Sequence, residues 1–312
     1  MDLAFWGQGA CGIPGRRVNA LEQAIGFGIV SAAVISLGAV GFTMQLAVTN
    51  VFNLAFASCM TASAYVAYIT HSGGTVNIWF ALCVAAVAGA ALAVVIERVF
   101  YRPFLRRGSN LFTVVMVSLA LGLIIKYLCQ AIAGPTFYSY KLTPSKNLRV
   151  GGFVLSEREL AVVIIAVAIM LLIHVLLKYT RLGKSMRAMA SNEDLARVTG
   201  IRTRRVLILT WAVSGALAGV AGVVYVMDVV VFDPSTTDNL LLLIIAAAVV
   251  GGIGQPYGAM LGALLVGLIT SIVGIWFPAW ENVIAFLLLG AVILLYPKGL
   301  LGGEARKLVA VQ

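Results

Sequence analysis

Residues 160–177 read LAVVIIAVAIMLLIHVLL, a stretch in which no side chain carries a full charge. A helix needs about 20 mostly apolar residues to cross the hydrocarbon core of a bilayer, and this stretch with its flanks reaches that length. Further apolar runs lie at 111–133, 206–227, 258–275 and 283–296. They lack the period-two alternation of a membrane-spanning strand. The sequence therefore predicts an all-α integral membrane protein.

The composition agrees with this fold class. Hydrophobic residues make up 61% of the 312 residues and charged residues only 11%, whereas an ordinary soluble domain has about 25% charged residues. The mean hydropathy of the chain is +1.02. A soluble protein of this length needs more charge to cover its surface, so a soluble enzyme is excluded.

The spacing of the apolar stretches predicts a polytopic helical bundle of about 8–10 transmembrane helices. The stretches lie near 21–49, 54–70, 76–96, 111–133, 159–177, 206–230, 239–252, 258–275 and 281–296. The stretch 239–252 is short for a full crossing, which is typical of half of a broken or re-entrant element. We expect one transmembrane domain at 21–297, an N-terminal extension at 1–20 and a tail at 298–312.

The formal charge of +10 is unevenly distributed. The loop 178–205 has eight basic and two acidic residues, and the tail is also basic, whereas the loop 228–239 has three aspartates and no base. Short basic loops stay in the cytoplasm, so we expect 178–205 and the tail inside and 228–239 outside. Positive charge here sets membrane topology and does not indicate nucleic-acid binding.

Nothing in the sequence indicates catalysis or a resident cofactor. His71 and His174 have no partner pattern for a nucleophile or a metal, and the four cysteines lack metal-binding spacing. Gly183-Lys184-Ser185 resembles the end of a phosphate-binding loop, but the first glycine of that loop is missing. We therefore expect no enzyme activity, no metal and no cofactor in this chain, and any ATP hydrolysis on another chain.

Glycines suggest both close helix packing and a backbone break. Small residues spaced by four let transmembrane helices approach closely, and they recur in two seams. The first seam contains Gly215 and Gly219, followed by Gly222, and the second contains Gly254, Gly258 and Gly262. Gly251-Gly252 with Gly254 instead interrupts an apolar region, and such breaks are tolerated only where protein or water satisfies the freed amides. This interruption either packs helices or lines a substrate path.

Lys126 is the clearest charge within an apolar stretch. Charged residues inside the membrane are costly and usually functional. A lysine about two turns from a helix end can also extend its ammonium group to the surface, so a structural role is equally open. No buried relay of Asp, Glu and His and no ladder of arginines accompanies it, which argues against a proton-coupled carrier and a voltage sensor.

The basic loop 178–205 contains a short helix pattern. Ser191 is the expected N-cap, and Glu193 and Asp194 suit the first turn. The segment from Leu195 then forms a short amphipathic helix that ends at Gly200. Such a helix is either a plain surface helix or one that docks into a groove of a partner.

Motifs along nearly the whole chain resemble those of the permease subunits of branched-chain amino-acid-type ABC importers. In order, they are Glu97-Arg98 with Arg102-Pro103; Thr180-Arg181-Leu182-Gly183 with Met186-Arg187-Ala188; Ala196-Arg197 with Gly200-Ile201; Gly215 to Val223; Gly251 to Gly262; and Pro297 to Gly302. The family commonly has a histidine-containing string after its first helix, where this chain has Asn53-Leu54-Ala55-Phe56-Ala57. Tyr296 also stands where a basic residue is usual.

The resemblance implies a transport subunit that works by alternating access in the inner (plasma) membrane. Expected partners are a second related permease, two cytoplasmic ATPase subunits that bind ATP and Mg²⁺, and a periplasmic or lipid-anchored solute-binding protein. The residues expected to contact the ATPase are Glu193, Asp194, Ala196, Arg197, Gly200 and Ile201, and those expected to line the path are Asn53, Phe56, Gly251, Gly252 and Gly254. The solute stays open among a branched-chain amino acid, urea, another amide and a small organic acid. A stand-alone carrier or channel for a neutral solute is the competing class.

Overall fold

A computed structural model describes residues 14–72, 77–108, 110–134, 136–140, 147–150, 153–276, 280–295 and 299–300. Most of the expected N-terminal extension and of the expected tail lies outside these residues. The expected inside position of the bases at 298–312 therefore stays a prediction.

Helices form nearly all of the described structure. They are α1 (Pro14–Thr49), α2 (Phe56–Ser72), α3 (Ile78–Ile96), a π-helical turn (Glu97–Tyr101), α4 (Arg102–Arg106), α5 (Leu111–Ala133), α6 (Glu157–Tyr179), α7 (Arg181–Ser191), α8 (Glu193–Val198), α9 (Thr203–Val229), α10 (Thr236–Gly251), α11 (Pro256–Trp276) and α12 (Glu281–Leu295). Four short strands lie between them: β1 (Tyr138–Ser139), β2 (Asn147–Val150), β3 (Phe153–Ser156) and β4 (Val231–Phe232).

Within the described residues, six helices are long and apolar enough to cross a membrane. They are α1, α3, α5, α6, α9 and α11, and α2, α10 and α12 are shorter. The chain is thus an all-α, multi-pass membrane protein, as its composition predicts. Sequence patterns did not reveal the small strands: β1 pairs with β4, and β2 pairs with β3.

Helices α1 and α9 form the centre of the bundle. They are the most buried of the six long spans, whereas α3, α5 and α6 expose most of their surface. Helix α1 packs along α11, α9, α10 and α6, and α9 packs along α3 and α2. We call the end that carries α7 and α8 the inner end and the opposite end the outer end. The buried surfaces of α1 and α9 therefore fix the positions of the helices that pack around them.

The expected glycine seams bring helix backbones together. A Cβ at Gly219 would come 2.4 Å from the Ala85 carbonyl oxygen in α3, and one at Gly222 would come 2.3 Å from the Met60 carbonyl oxygen in α2. In the second seam, Gly258 of α11 faces Gly251 of α10 just as closely. Only a residue without a side chain fits at such contacts, so these glycines set the spacing between helices.

Two helices begin inside the bundle instead of at its ends. Phe56, the first residue of α2, packs edge-on against Phe42 in α1. Phe42 lies about 10 Å before the end of α1 at Thr49, given the rise of an α-helix. The chain therefore turns back into the bundle after α1, which the sequence did not predict for residues 50–55.

The second such helix is α10, in the stretch where the sequence predicts a broken element. In its first turn, Thr237 donates a hydrogen bond to the Ala57 carbonyl oxygen and contacts Thr61, both in α2. From this meeting point, α2 runs towards the outer end, whereas α10 runs towards the inner end, where Gly254 packs against Ala47. Two short helices thus start near the centre and run in opposite directions. Thr237 and Asp238, which the sequence predicts in an outer loop, lie instead in the first turn of α10 inside the bundle.

The close contact at Gly219 can be tested by adding one methyl group. Gly219→Ala should destabilise the protein by about 1–3 kcal/mol, because α3 and α9 must separate to accommodate the Cβ. Gly274→Ala in α11 is the matched control, since nothing lies within 4 Å of the position of its Cβ. Thermal unfolding in detergent measures both variants. Equal stability of the two would contradict the assigned role of the seam.

Candidate functional site

A buried polar network surrounds the point where the chain turns back into the bundle. Asn53 is 3% exposed. Its amide oxygen accepts a hydrogen bond of 2.9 Å from the Tyr101 hydroxyl, and its amide nitrogen lies 3.5 Å from the Gln45 oxygen. Ser214 also donates to that Gln45 oxygen, at 3.0 Å. The network joins α1, α9, the π-helical turn and the 50–55 segment.

Neighbouring side chains satisfy the irregular backbone of this segment. The Leu54 amide donates to the Ser118 hydroxyl oxygen in α5, and the Val51 amide donates to the Thr49 hydroxyl oxygen. Ser58, in the first turn of α2, donates to the Gly122 carbonyl oxygen. Because nothing in a lipid core can replace these bonds, the 50–55 segment depends on α1 and α5 for its shape.

Of the residues predicted to line a path, Asn53 and Phe56 lie together in this region. Both are buried in the packed core, and Phe56 forms an aromatic cluster with Phe42 and Phe52. Sequence reasoning did not find Gln45, Tyr101 and Ser214. Gln45 and Ser214 are isolated polar residues in apolar stretches, and Tyr101 lies in a charged segment that gives no sign of a partner. Only the fold brings them to Asn53.

The predicted backbone break at Gly251–Gly254 lies elsewhere. It forms the turn between α10 and α11, in which Gly252 and Gly254 have φ angles of 112° and 87°. Gly254 packs against Ala47 of α1, whereas the Asn53 network contacts Gln45. Residues two apart on a helix face nearly opposite sides, so the structure does not bring these glycines to Asn53. Gly251, Gly258 and Gly262 hold α10 against α11.

At the inner end, α7 is fixed to the bundle by its apolar face. Thr180 caps it by accepting a hydrogen bond from the Gly183 amide. A Cβ at Gly183 would come 2.3 Å from the Leu177 carbonyl oxygen, so α7 lies directly against the end of α6. Met186 and Met189 are buried in a cluster with residues of α1, α6 and α9. Movement of α7 is therefore mechanically connected to these three spans.

The predicted short helix follows as α8. Asn192 is its N-cap and accepts from the Leu195 amide at 3.0 Å, so the expectation that Ser191 caps it is wrong. Ser191 is instead the last residue of α7, because α7 extends further than the sequence pattern indicates. Glu193 forms an exposed ion pair with Arg197. Asp194 lies with Glu193 in the first turn, as expected.

A glycine ends α8 in the way that the sequence predicts. Gly200 has a φ angle of 85°, and the Ile201 amide donates back to the Ala196 carbonyl oxygen at 3.1 Å. This is the pattern of a Schellman C-cap. Ala196 is buried against the bundle, but Leu195 and Val198 are 61% and 85% exposed. Helix α8 therefore presents apolar side chains outward.

The known proteins that are similar to this chain are permeases of transport systems. The family model described as "Branched-chain amino acid transport system / permease component" matches residues 24–295. The high-affinity branched-chain amino acid permease protein BraD of Pseudomonas aeruginosa is 27% identical over 90% of this chain and 95% of its own length.

Two further relatives widen the comparison. A probable branched-chain amino acid permease, LivH of Methanocaldococcus jannaschii, is 28% identical over 90% of this chain and 92% of its own length. The fructose import permease FruF of Bifidobacterium longum is 25% identical, covering 85% of this chain and 72% of its own length. Permeases similar to this chain are thus named for different solutes.

The hydroxyl of Tyr101 provides a test of the buried network. Tyr101→Phe leaves the Asn53 oxygen without this donor and should cost about 1–3 kcal/mol of stability. Tyr127→Phe in α5 is the control, because that side chain is 61% exposed. Thermal unfolding of both variants in detergent or nanodiscs provides the measurement. A Tyr101→Phe protein as stable as Tyr127→Phe would show that the network does not hold the segment.

Proposed function

Because the chain belongs to the family of branched-chain amino acid transport system permease components, we propose that it is the membrane-spanning subunit of an ATP-binding-cassette importer. It pairs with a second, related permease in the inner (plasma) membrane. Two cytoplasmic ATPase subunits bind ATP and Mg²⁺, and a periplasmic or lipid-anchored protein delivers the solute. This chain forms the path and catalyses no reaction.

The proposal depends on how α7 and α8 are placed: α7 is fixed to the bundle by its buried face, and α8 exposes apolar side chains. Leu195 and Val198 expose apolar surface on α8, while Ala196 on its other face is buried against the bundle. Exposed apolar side chains on a capped, rigid helix suit a groove in a partner protein. Since α7 contacts α1, α6 and α9 through one cluster, force applied to α8 is transmitted to the spans.

The central meeting point of α2 and α10 suits alternating access. Both helices start inside the bundle and run to opposite ends, which is the arrangement that transporters use to place a solute near the middle of the membrane. The 50–55 segment with Asn53, and Phe56 at the start of α2, lie beside this point. Small relative rotations of α2 and α10 would open it towards one end and close it towards the other.

A branched-chain amino acid, or an amide such as urea, fits the proposed function as solute. The names of BraD and LivH favour the amino acid. Phe56 stands where the family commonly has a histidine, which makes the central region of this chain more apolar.

Reconstitution tests the proposed function. The purified chain should not transport solute alone, whereas liposomes containing it with its permease, ATPase and binding-protein partners should import solute only with ATP. Transport by the chain alone would identify a stand-alone carrier or channel and would contradict the proposal.

The C-cap of α8 gives a sharper test of coupling. Gly200→Val should reduce solute-stimulated ATPase activity at least about fivefold, because a β-branched residue is strained at a positive φ angle and the end of α8 must reorient. Gly200→Asn is the matched control, since Asn tolerates this conformation. No atom lies within 4 Å of a Cβ at Gly200, so backbone strain alone distinguishes the variants. Normal coupling in Gly200→Val would contradict the role of α8.

The exposed apolar face of α8 can be tested separately. Val198→Asp should weaken association with the ATPase subunits about tenfold, because a carboxylate would be buried in the apolar groove. The permease itself should keep its stability, since Val198 is 85% exposed. Val198→Thr is the control of nearly equal volume. Co-purification and solute-stimulated ATPase activity measure the effect, and unchanged association in Val198→Asp would exclude α8 from the interface.

A further inference from the structure

Two opposite charges meet inside the bundle, and the proposed function gives them no role. Lys126 is the only charged residue of α5, and Asp238 is the only charged residue of α10. Their side chains form an ion pair with 2.6 Å between the Lys126 Nζ and the Asp238 Oδ2. The ammonium group of Lys126 thus has a protein partner, and its charge is paired without extension of the side chain to the membrane surface.

Both residues lie well away from the outer end of the helices around them. Lys126 precedes the end of α5 at Ala133 by about 10 Å along the helix axis. Thr237, next to Asp238, contacts Thr61, which lies about 16 Å from the outer end of α2. The pair is therefore located beside the meeting point of α2 and α10, within the apolar part of the bundle.

The ion pair is only partly covered by the chain. The Lys126 side chain is 21% exposed and that of Asp238 is 46% exposed. A carboxylate exposed to this degree is not compatible with lipid at this depth. The surface between α5 and α10 must therefore face water or another polar group.

We propose that Lys126 and Asp238 form a subsite that selects a solute with one ammonium and one carboxylate group. Such a zwitterion takes up both protein charges by exchange of partners: its carboxylate binds Lys126 and its ammonium group binds Asp238. One protein ion pair is replaced by two protein–solute pairs, so no charge is left unpaired in a medium of low dielectric constant. The two residues act as specificity-determining residues of the path.

Charge balance explains the selectivity. A cation can pair with Asp238 but leaves Lys126 unpaired, and an anion leaves Asp238 unpaired. A neutral amide cannot replace either charge and leaves the Lys126–Asp238 pair closed. The inference rests on the proposed function, within which it favours an amino acid over urea as solute.

The test measures binding to the assembled permease pair and ATPases in nanodiscs, without the binding protein, so that only the path selects. The probes are leucine, the cation leucinamide and the anion 4-methyl-2-oxopentanoate, with alanine, alaninamide and pyruvate as a second series. Shifts in melting temperature at increasing probe concentration give apparent affinities. The wild-type complex should prefer the zwitterion of each series about tenfold.

Single substitutions should reverse the preference in opposite directions. Lys126→Met leaves Asp238 and should favour the cation over the zwitterion, whereas Asp238→Asn leaves Lys126 and should favour the anion, each by about tenfold. Lys126→Arg and Asp238→Glu keep the charges and should keep the preference for the zwitterion. If the pair merely joined α5 to α10, Lys126→Met and Asp238→Asn would weaken all three probes equally, and that result would overturn the inference.

Uptake by the wild-type complex separates this inference from the proposed function. ATP-dependent import together with charge-independent binding would reject the subsite and leave the importer assignment intact. Absence of ATP-dependent import would reject the importer assignment, whatever the probes show. Failure of every probe to bind the wild-type complex would also reject the subsite.

Discussion

The hydrogen bonds around Asn53 make the central architecture possible. Inside a membrane, an unpaired backbone group has no water to bind, so a chain can leave the helical conformation only where other protein groups replace the lost bonds. Here Tyr101 and Gln45 bind the Asn53 side chain, and Ser118 accepts from the Leu54 amide. With these bonds, α2 can begin beside Phe42 instead of at the inner end of α1. Because α2 begins inside the bundle, the start of α10 can meet it there.

This constraint connects the inner end of the molecule to the centre of the bundle. Tyr101 belongs to the π-helical turn at the inner end of α3, and Gln45 belongs to α1, which shares a buried cluster with α7. The proposed coupling helices and the centre of the bundle therefore share α1 as a common neighbour. Small residues let α9 and α3 pack closely. Movement of one of these two helices is therefore transmitted to the other.

Sequence patterns predicted the features that depend on local chemistry. Apolar length and composition identified the long helices. Four-residue glycine spacing identified the close contacts at Gly215, Gly219, Gly258 and Gly262, and Gly200 identified the end of α8. Features that depend on tertiary contacts were missed. Gln45 and Ser214 have no signal in an apolar run, the partner of Lys126 lies 112 positions away in α10, and Ser191 failed as a cap because α7 continued through it. The functional roles of the coupling and path residues remain predictions.

In the proposed mechanism, the meeting point of α2 and α10 opens alternately to the two sides of the membrane. Thr237 is 1% exposed there, so it reports directly on opening. A Thr237→Cys variant with the native cysteines replaced can be labelled from the outer side with a membrane-impermeant maleimide, in the nucleotide-free and the ATP-trapped importer. Alternating opening predicts that labelling differs strongly between these two states. Equal labelling, or equal protection, in both states would contradict it.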